Sequence, residues 1–454
     1  MLKILLALAM LAPPAPVQAP QALDWRPCPD SGAVAAQCAD LAVPLAEPGG
    51  RRITLKVARL PATGAKKGSV LANFGGPQGD QIAIMRSRPL VFDKIRQSMD
   101  VVTWDPRGYP GLSSPVLACD WGVLRTPPIP KTQAEFDGLA QANRARGEKC
   151  RETDPDLFDH MDSGSDARDA EAIRVALGEK SMNFIGTSYG GVIAQAYARQ
   201  FPQRLRTMYI DGTGNHGARD WERELETVAT DMERQLKRFF DQAEPGLDQR
   251  WRALVAKADR EPVPAPQANA RYDGTQLQAL AFQKSRSGPA HWGELAAAIT
   301  AAEGGDATGF VPRSRDPYPG LPGGGVKECL DYPRPTDQRQ LARTTERLRR
   351  IAPNSGAAFP LAWHLPTTCT GWPAPVANPP TPLPRILPPI LGAGTWLDRA
   401  ATARVTAQVP GSRTIDFDGP GHNLFFAMAN PCVIDHVSRY ITTRALPPAD
   451  PTCT

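Results

Sequence analysis

What the 454 residues lack narrows the field first. No two cysteines carry Cys-x-x-Cys spacing, and no cysteine–histidine cluster has the spacing of a zinc site, so the eight cysteines do not announce a metal centre. No nucleotide-binding motif and no internal repeat is visible, and no cofactor is expected. No run of Lys and Arg is long enough to mark a nucleic-acid or membrane-surface patch. The 52 basic and 47 acidic residues are interspersed and leave a formal net charge of +5. The one marked apolar run, residues 4–12, is too short to span a bilayer. With 41% hydrophobic and 22% charged residues, wholesale disorder is excluded and a sizeable core is within reach. The 47 prolines are scattered, with denser patches at 127–130 and 379–389, and read as stiffened connections.

The N-terminus carries its own signal. Met1-Leu-Lys3, the short apolar run, then small residues and prolines to about Ala22 describe a signal peptide over residues 1–22. Its removal predicts a secreted or periplasmic protein. Eight cysteines fit that compartment, and pairing between chain neighbours is expected: Cys28 with Cys38, Cys119 with Cys150, Cys329 with Cys369, and Cys432 with Cys453.

Along the chain, strands are predicted over 53–60, 69–74, 99–104, 182–185 and 206–210, with helices over 166–177 and 191–200. That rhythm predicts a mostly parallel sheet with helices on both faces, whose chemistry gathers at the carboxyl ends of the strands. The pattern then turns helical, at 221–240, 249–258, 274–284 and 292–302, followed by a Gly- and Pro-rich stretch over 304–325. Strand character returns at 389–392 and 413–417, and a helix closes the chain near 432–443. The expected division is a core in two parts, 23–213 and 381–454, around a mainly helical cap insertion at 214–380.

Three loops carry chemistry. Gly186-Thr-Ser188-Tyr-Gly190 sits between a strand and a helix. Glycines there allow the sharp turn that lifts a nucleophilic hydroxyl clear of the sheet, and the next backbone N–H, that of Tyr189, is aimed at the reacting centre. Asn73-Phe-Gly75-Gly76 follows an early strand, where a second oxyanion donor is needed, and the Gly76 N–H is the candidate. His422, in Gly419-Pro-Gly421-His422, follows the 413–417 strand and is the expected general base. The acid belongs between Ser188 and His422 in chain order. Asp398 is expected, with Asp416 and Asp418 as competitors close to the histidine. Asp105 and Arg107 are read as loop-fixing residues.

Together Phe74-Gly-Gly-Pro77, Trp104-Asp-Pro-Arg-Gly108, Gly186-Thr-Ser-Tyr-Gly-Gly191, Gly394 to Asp398 and Gly419-Pro-Gly-His422 resemble the prolyl aminopeptidase and secreted tripeptidyl aminopeptidase family of α/β hydrolases. Ala429-Asn-Pro-Cys432 adds to the likeness. Gln78, Asp80 and Gln81 depart from the family's small residues, as does Asp398-Arg-Ala-Ala-Thr402 from its acid loop. The resemblance implies the α/β-hydrolase fold and a serine exopeptidase acting on peptide substrates at a free N-terminus. A carboxylesterase with the same machinery is the alternative, and an intact Ser188/His422 pair argues against a non-enzymatic binding protein. Such a peptidase needs acidic groups to hold the substrate ammonium. Glu222, Glu328 and Asp331 lie in the inserted region, and the sequence does not choose between them.

Overall fold

A computed structural model describes residues 22–29, 35–46, 49–76, 79–119, 129–311, 325–357, 366–449 and 451–454. The signal-peptide expectation, Gln78 and most of the Gly/Pro-rich stretch lie outside the described residues.

The strands are β1 (Arg26–Pro27), β2 (Gln37–Pro44), β3 (Arg52–Leu60), β4 (Gly68–Asn73), β5 (Met99–Trp104), β6 (Met182–Thr187), β7 (Leu205–Asp211), β8 (Val263–Ala265), β9 (Ala270–Tyr272), β10 (Leu391–Ala393), β11 (Arg413–Phe417) and β12 (Thr452–Cys453). All but β8 and β9 join one ten-stranded sheet, ordered β1-β2-β3-β5-β4-β6-β7-β10-β11-β12. It is antiparallel from β1 to β5 and parallel from there onward.

The two-residue period of a strand explains the layers. Val70 and Ala72 of β4 face one core with Ile185 of β6, where Phe92, Ile95, Val437 and Ile441 pack. Leu71 of β4 and Phe184 of β6 face the other core, with Ile173, Ile193 and Tyr197. Both faces of the central strands are therefore covered, which is why β4, β5 and β6 read as apolar runs instead of alternating ones. The helix expected at 166–177 runs over Ser163–Ala176. It starts early because the Asp162 side chain accepts from the Ser165 N–H and caps it. Helices Gln133–Arg151 and Gln338–Ile351 escaped the sequence reading. They are rich in charge and thin in apolar positions, and their starts are marked by the caps Thr132 and Asp337.

Between β7 and β10 the described chain is largely helical: Trp221–Gln242, Leu247–Ala258, Gly274–Ser285, Trp292–Glu303, Val326–Asp331 and Gln338–Ile351, with the β8–β9 hairpin among them. It has a core of its own around Phe239, Trp251, Leu277 and Ile299. The first helix also sends Leu225 and Ala229 into the core shared with the sheet. The four expected cysteine pairs form: Cys28–Cys38, Cys119–Cys150, Cys329–Cys369 and Cys432–Cys453. Among the described residues no helix is long and apolar enough to cross a membrane.

Candidate active site

Strand register brings the three loops to one edge. Asn73 pairs with Gly186, Thr187 with Asp211, and Asp211 with Ala393, so β4, β6, β7 and β10 finish side by side. The loops that leave them carry Gly75-Gly76, Ser188, Gly212 and Thr395–Asp398.

Ser188 turns at φ 54° and ψ −125°, a backbone conformation that a non-glycine residue rarely adopts. Its N–H donates to the Asp211 carbonyl at 2.7 Å, which fixes the turn to the neighbouring strand. The helix Tyr189–Gln200 follows at once, two residues earlier than the sequence suggested. Gly75 packs against this turn at φ 82°. A Cβ there would lie 2.5 Å from the Ser188 Cβ and 2.8 Å from the Tyr189 nitrogen, so the close approach admits only glycine. Asn73 Oδ1 accepts the Gly75 N–H at 3.1 Å. Gln81 clamps the same loop, accepting from the Phe74 N–H at 2.8 Å and donating to the Gly75 carbonyl at 2.9 Å. The departure from a small residue at position 81 thus has a local use. Among the described residues no acceptor takes the N–H of Gly76 or of Tyr189.

On the other side, Asp398 Oδ2 lies 2.5 Å from His422 Nδ1. The Asp398 carboxylate is buried, and its Oδ1 accepts the Thr395 N–H at 2.8 Å. Thr395 Oγ1 donates to the Gly421 carbonyl at 2.8 Å, tying the acid loop to the histidine loop. The competitors are engaged elsewhere: Asp416 pairs with Arg399 at 2.7 Å, and Asp418 accepts from Trp396 Nε1 at 2.5 Å. Asn423, next to the histidine, donates to Thr187 Oγ1 at 2.8 Å, next to the serine. A Cβ on Gly212 would come within 3.0 Å of both His422 Nδ1 and His422 Cε1 and within 2.9 Å of Asp398 Oδ2. Ser188, Tyr189, Gly76 and His422 all keep partial exposure, while Asp398 beneath them is buried.

Two models of known families match the chain. Residues 91–292 fit the alpha/beta hydrolase fold, and residues 359–453 fit the TAP-like protein family. The chain has the α/β-hydrolase fold. It is similar to a tripeptidyl aminopeptidase of Streptomyces coelicolor, 27% identical over 95% of this chain and 86% of the relative. It is also similar to the serine protease Hip1 of Mycobacterium tuberculosis, 28% identical over 95% of this chain and 91% of the relative. A carboxylesterase B of the same organism is 28% identical, over 97% and 91%.

The hydrolase carries one site residue that sequence reasoning passed over. Asp211 is fully buried at the end of β7. Its Oδ2 accepts the Phe425 N–H at 2.8 Å and the Tyr209 hydroxyl at 3.0 Å, pinning the far side of the histidine loop. Burial, and then the nearby Asp398 charge, push its carboxyl up to about 7. The Asp-Gly pair at a strand end was the available signal. Asp105 does fix loops, holding the Ile82 N–H at 3.0 Å and the Leu112 N–H at 2.8 Å. Arg107 pairs with Asp169 at 2.6 Å in the core.

Proposed function

We propose that this hydrolase is an exported serine peptidase that works near free peptide N-termini through an acyl-enzyme. The observation that carries the reading is the convergence at one sheet edge of the strained Ser188 turn, the His422–Asp398 pair and two N–H groups that find no acceptor among the described residues. In this mechanism His422 takes the Ser188 proton as the hydroxyl oxygen attacks the scissile carbonyl. Asp398 orients the imidazole and stabilises its charged form. The N–H groups of Gly76 and Tyr189 receive the developing oxyanion, where the start of the Tyr189–Gln200 helix adds partial positive charge. His422 then hands its proton to the leaving amine, and water releases the acyl group by the reverse sequence.

Peptide chemistry is supported by the aminopeptidase and protease relatives, which align over nearly the whole chain. We take residues 214–380 as the cap that shapes substrate access. Export is supported by four disulfides, which persist in oxidising compartments, and by the leader-like start of the sequence. The carboxylesterase relative supports a second reading, ester hydrolysis by the same residues.

One panel separates the two readings. Purified protein and Ser188→Ala receive aminoacyl and tripeptidyl chromogenic amides, their N-acetylated forms and short-chain esters. Cleavage of free-amine amides in preference to blocked ones is expected. Turnover of esters alone would sustain the second reading, and equal activity of Ser188→Ala would end the assignment of the nucleophile.

A further inference from the structure

We propose that the cap helix Trp221–Gln242 splints the catalytic acid, with Arg404 and Trp396 as the positioning residues through which it sets Asp398; the assignment rests on the triad reading above. Asp398 stands between a loop and a helix. The loop, residues 394–397, leaves β10, and the helix Arg399–Thr406 begins at the next residue after the acid. One face of that helix belongs to the sheet. Thr402, Val405 and Thr406 are buried, and a Cβ on Gly392 of β10 would meet the Thr406 and Thr402 methyls at 2.7 and 2.9 Å. Thr402 Oγ1 also accepts the Thr213 N–H at 3.2 Å. The sheet therefore holds the acid segment from one side.

The cap holds it from the other. Glu224, Val228, Asp231, Met232 and Arg238 recur at the spacing of one helical stripe along Trp221–Gln242. They meet the acid segment in reverse order. Arg238 stacks on Trp396, its Cζ 4.5 Å from the ring centroid. Val228 and Met232, with Phe282, pack against Leu397. Glu224 and Asp231 take Arg404 Nη2 and Nη1 at 3.1 and 3.0 Å. Glu224 also accepts from Asn215 Nδ2 at 3.1 Å, and Asp231 also pairs with Arg234. The Glu224 and Asp231 side chains are 7% and 8% exposed, so their hold on Arg404 is little screened. The Arg238–Asp418 pair at 3.7 Å is different. Its side chains are 45% and 82% exposed, and it contributes little. Contacts before, beside and after Asp398 thus come from a single helix of the cap.

The splint reaches the base as well. The Trp396 N–H donates to the Gly419 carbonyl at 3.0 Å, in the loop that carries His422. The ring of Trp292, a second cap residue, lies 6.3 Å from that of Trp396. A Cβ on Gly288, also of the cap, would lie 2.8 Å from Pro420 Cγ in the histidine loop. A displacement of about 1 Å between catalytic groups can cost about a hundredfold in rate. The cap therefore does more than shape access: it completes the geometry of the acid–base pair.

The test changes the cap and reads the triad. Glu224→Gln/Asp231→Asn keeps both shapes and removes the charges that hold Arg404. On the best chromogenic substrate of the panel, kcat should fall by about 10- to 100-fold. The deciding measurement is a cycle with Asp398→Asn. A splint that works through Asp398 has nothing left to set in that background, so the same cap changes should lower kcat there by less than about twofold. Losses that multiply across the cycle, as a merely structural weakening gives, overturn the proposal. An unchanged kcat in the cap variant overturns it too. An Asp398→Asn protein with the parent's kcat fails the triad reading itself, and the proposal with it. Where the cap variant does not fold, Arg238→Ala decides, since that side chain is 45% exposed. Loss of its stacking contact should lower kcat about threefold in the parent and leave it unchanged in Asp398→Asn. An Arg238→Ala protein with the parent's kcat then overturns the proposal.

Discussion

Asp398→Asn puts the proposed mechanism under the sharpest load. The change keeps the shape and removes the charge. In the parent, Oδ1 takes the Thr395 N–H at 2.8 Å and Oδ2 faces His422 Nδ1 at 2.5 Å. Asn has one oxygen, and the Thr395 N–H claims it, so the amide NH2 turns toward the ring. A donor facing Nδ1 drives the ring proton to Nε2, the nitrogen that must receive the Ser188 proton. The charge loss can be sized separately. With charge centres ~4 Å apart and an effective dielectric of ~20, the carboxylate contributes about 4 kcal/mol to the imidazolium formed in the transition state. That is about a thousandfold in rate, and the wrong tautomer extends it toward 10⁴-fold. The assay is kcat on a chromogenic substrate, with a thermal melt to confirm the fold. The loss should fall in kcat, with KM little changed, because the group acts on the charged transition state. A folded Asp398→Asn within about tenfold of the parent kcat would refute the reasoning. Asp416→Asn and Asp418→Asn, whose side chains are 45% and 82% exposed, should keep the parent's kcat.

Ser188→Gly should be inactive yet more stable by about 1 kcal/mol in a urea melt, since relief of 1–3 kcal/mol of backbone strain exceeds the entropic cost of glycine. Stability should fall as pH rises from about 6.5 to 8. Asp211 and Glu328 hold protons up to about 7 and 8 while the unfolded chain has released them, so unfolding releases protons across that window. His216, pushed down to about 3 by burial, works in the opposite direction, but only below the ordinary histidine range. Asp211→Asn should flatten part of that fall in melts at the two pH values. The double variant Cys329→Ala/Cys369→Ala opens a closure of 40 residues and should cost about 4 kcal/mol in a denaturant melt.

The sequence by itself determined the local elements of the site. Gly-x-Ser-x-Gly between an apolar strand and a helix dictates the Ser188 turn, because its backbone conformation tolerates little beside it. Alternation placed β3, and short apolar or β-branched runs bounded by turn residues placed β5, β7 and β11, all within a residue. The pairing of neighbouring cysteines was legible from their order along the chain. Only the tertiary structure decided which acid meets His422. Asp416 and Asp418 are nearer in the chain, but strand β11 and its loop turn them toward Arg399 and Trp396. It also brought Asp211 beneath the histidine loop and surrounded Asp331 with four donors. Those outcomes depend on where side chains from distant segments end, and on which donors reach a carboxylate first. A one-dimensional pattern does not carry that information, because hydrogen-bond satisfaction is a property of the packed neighbourhood.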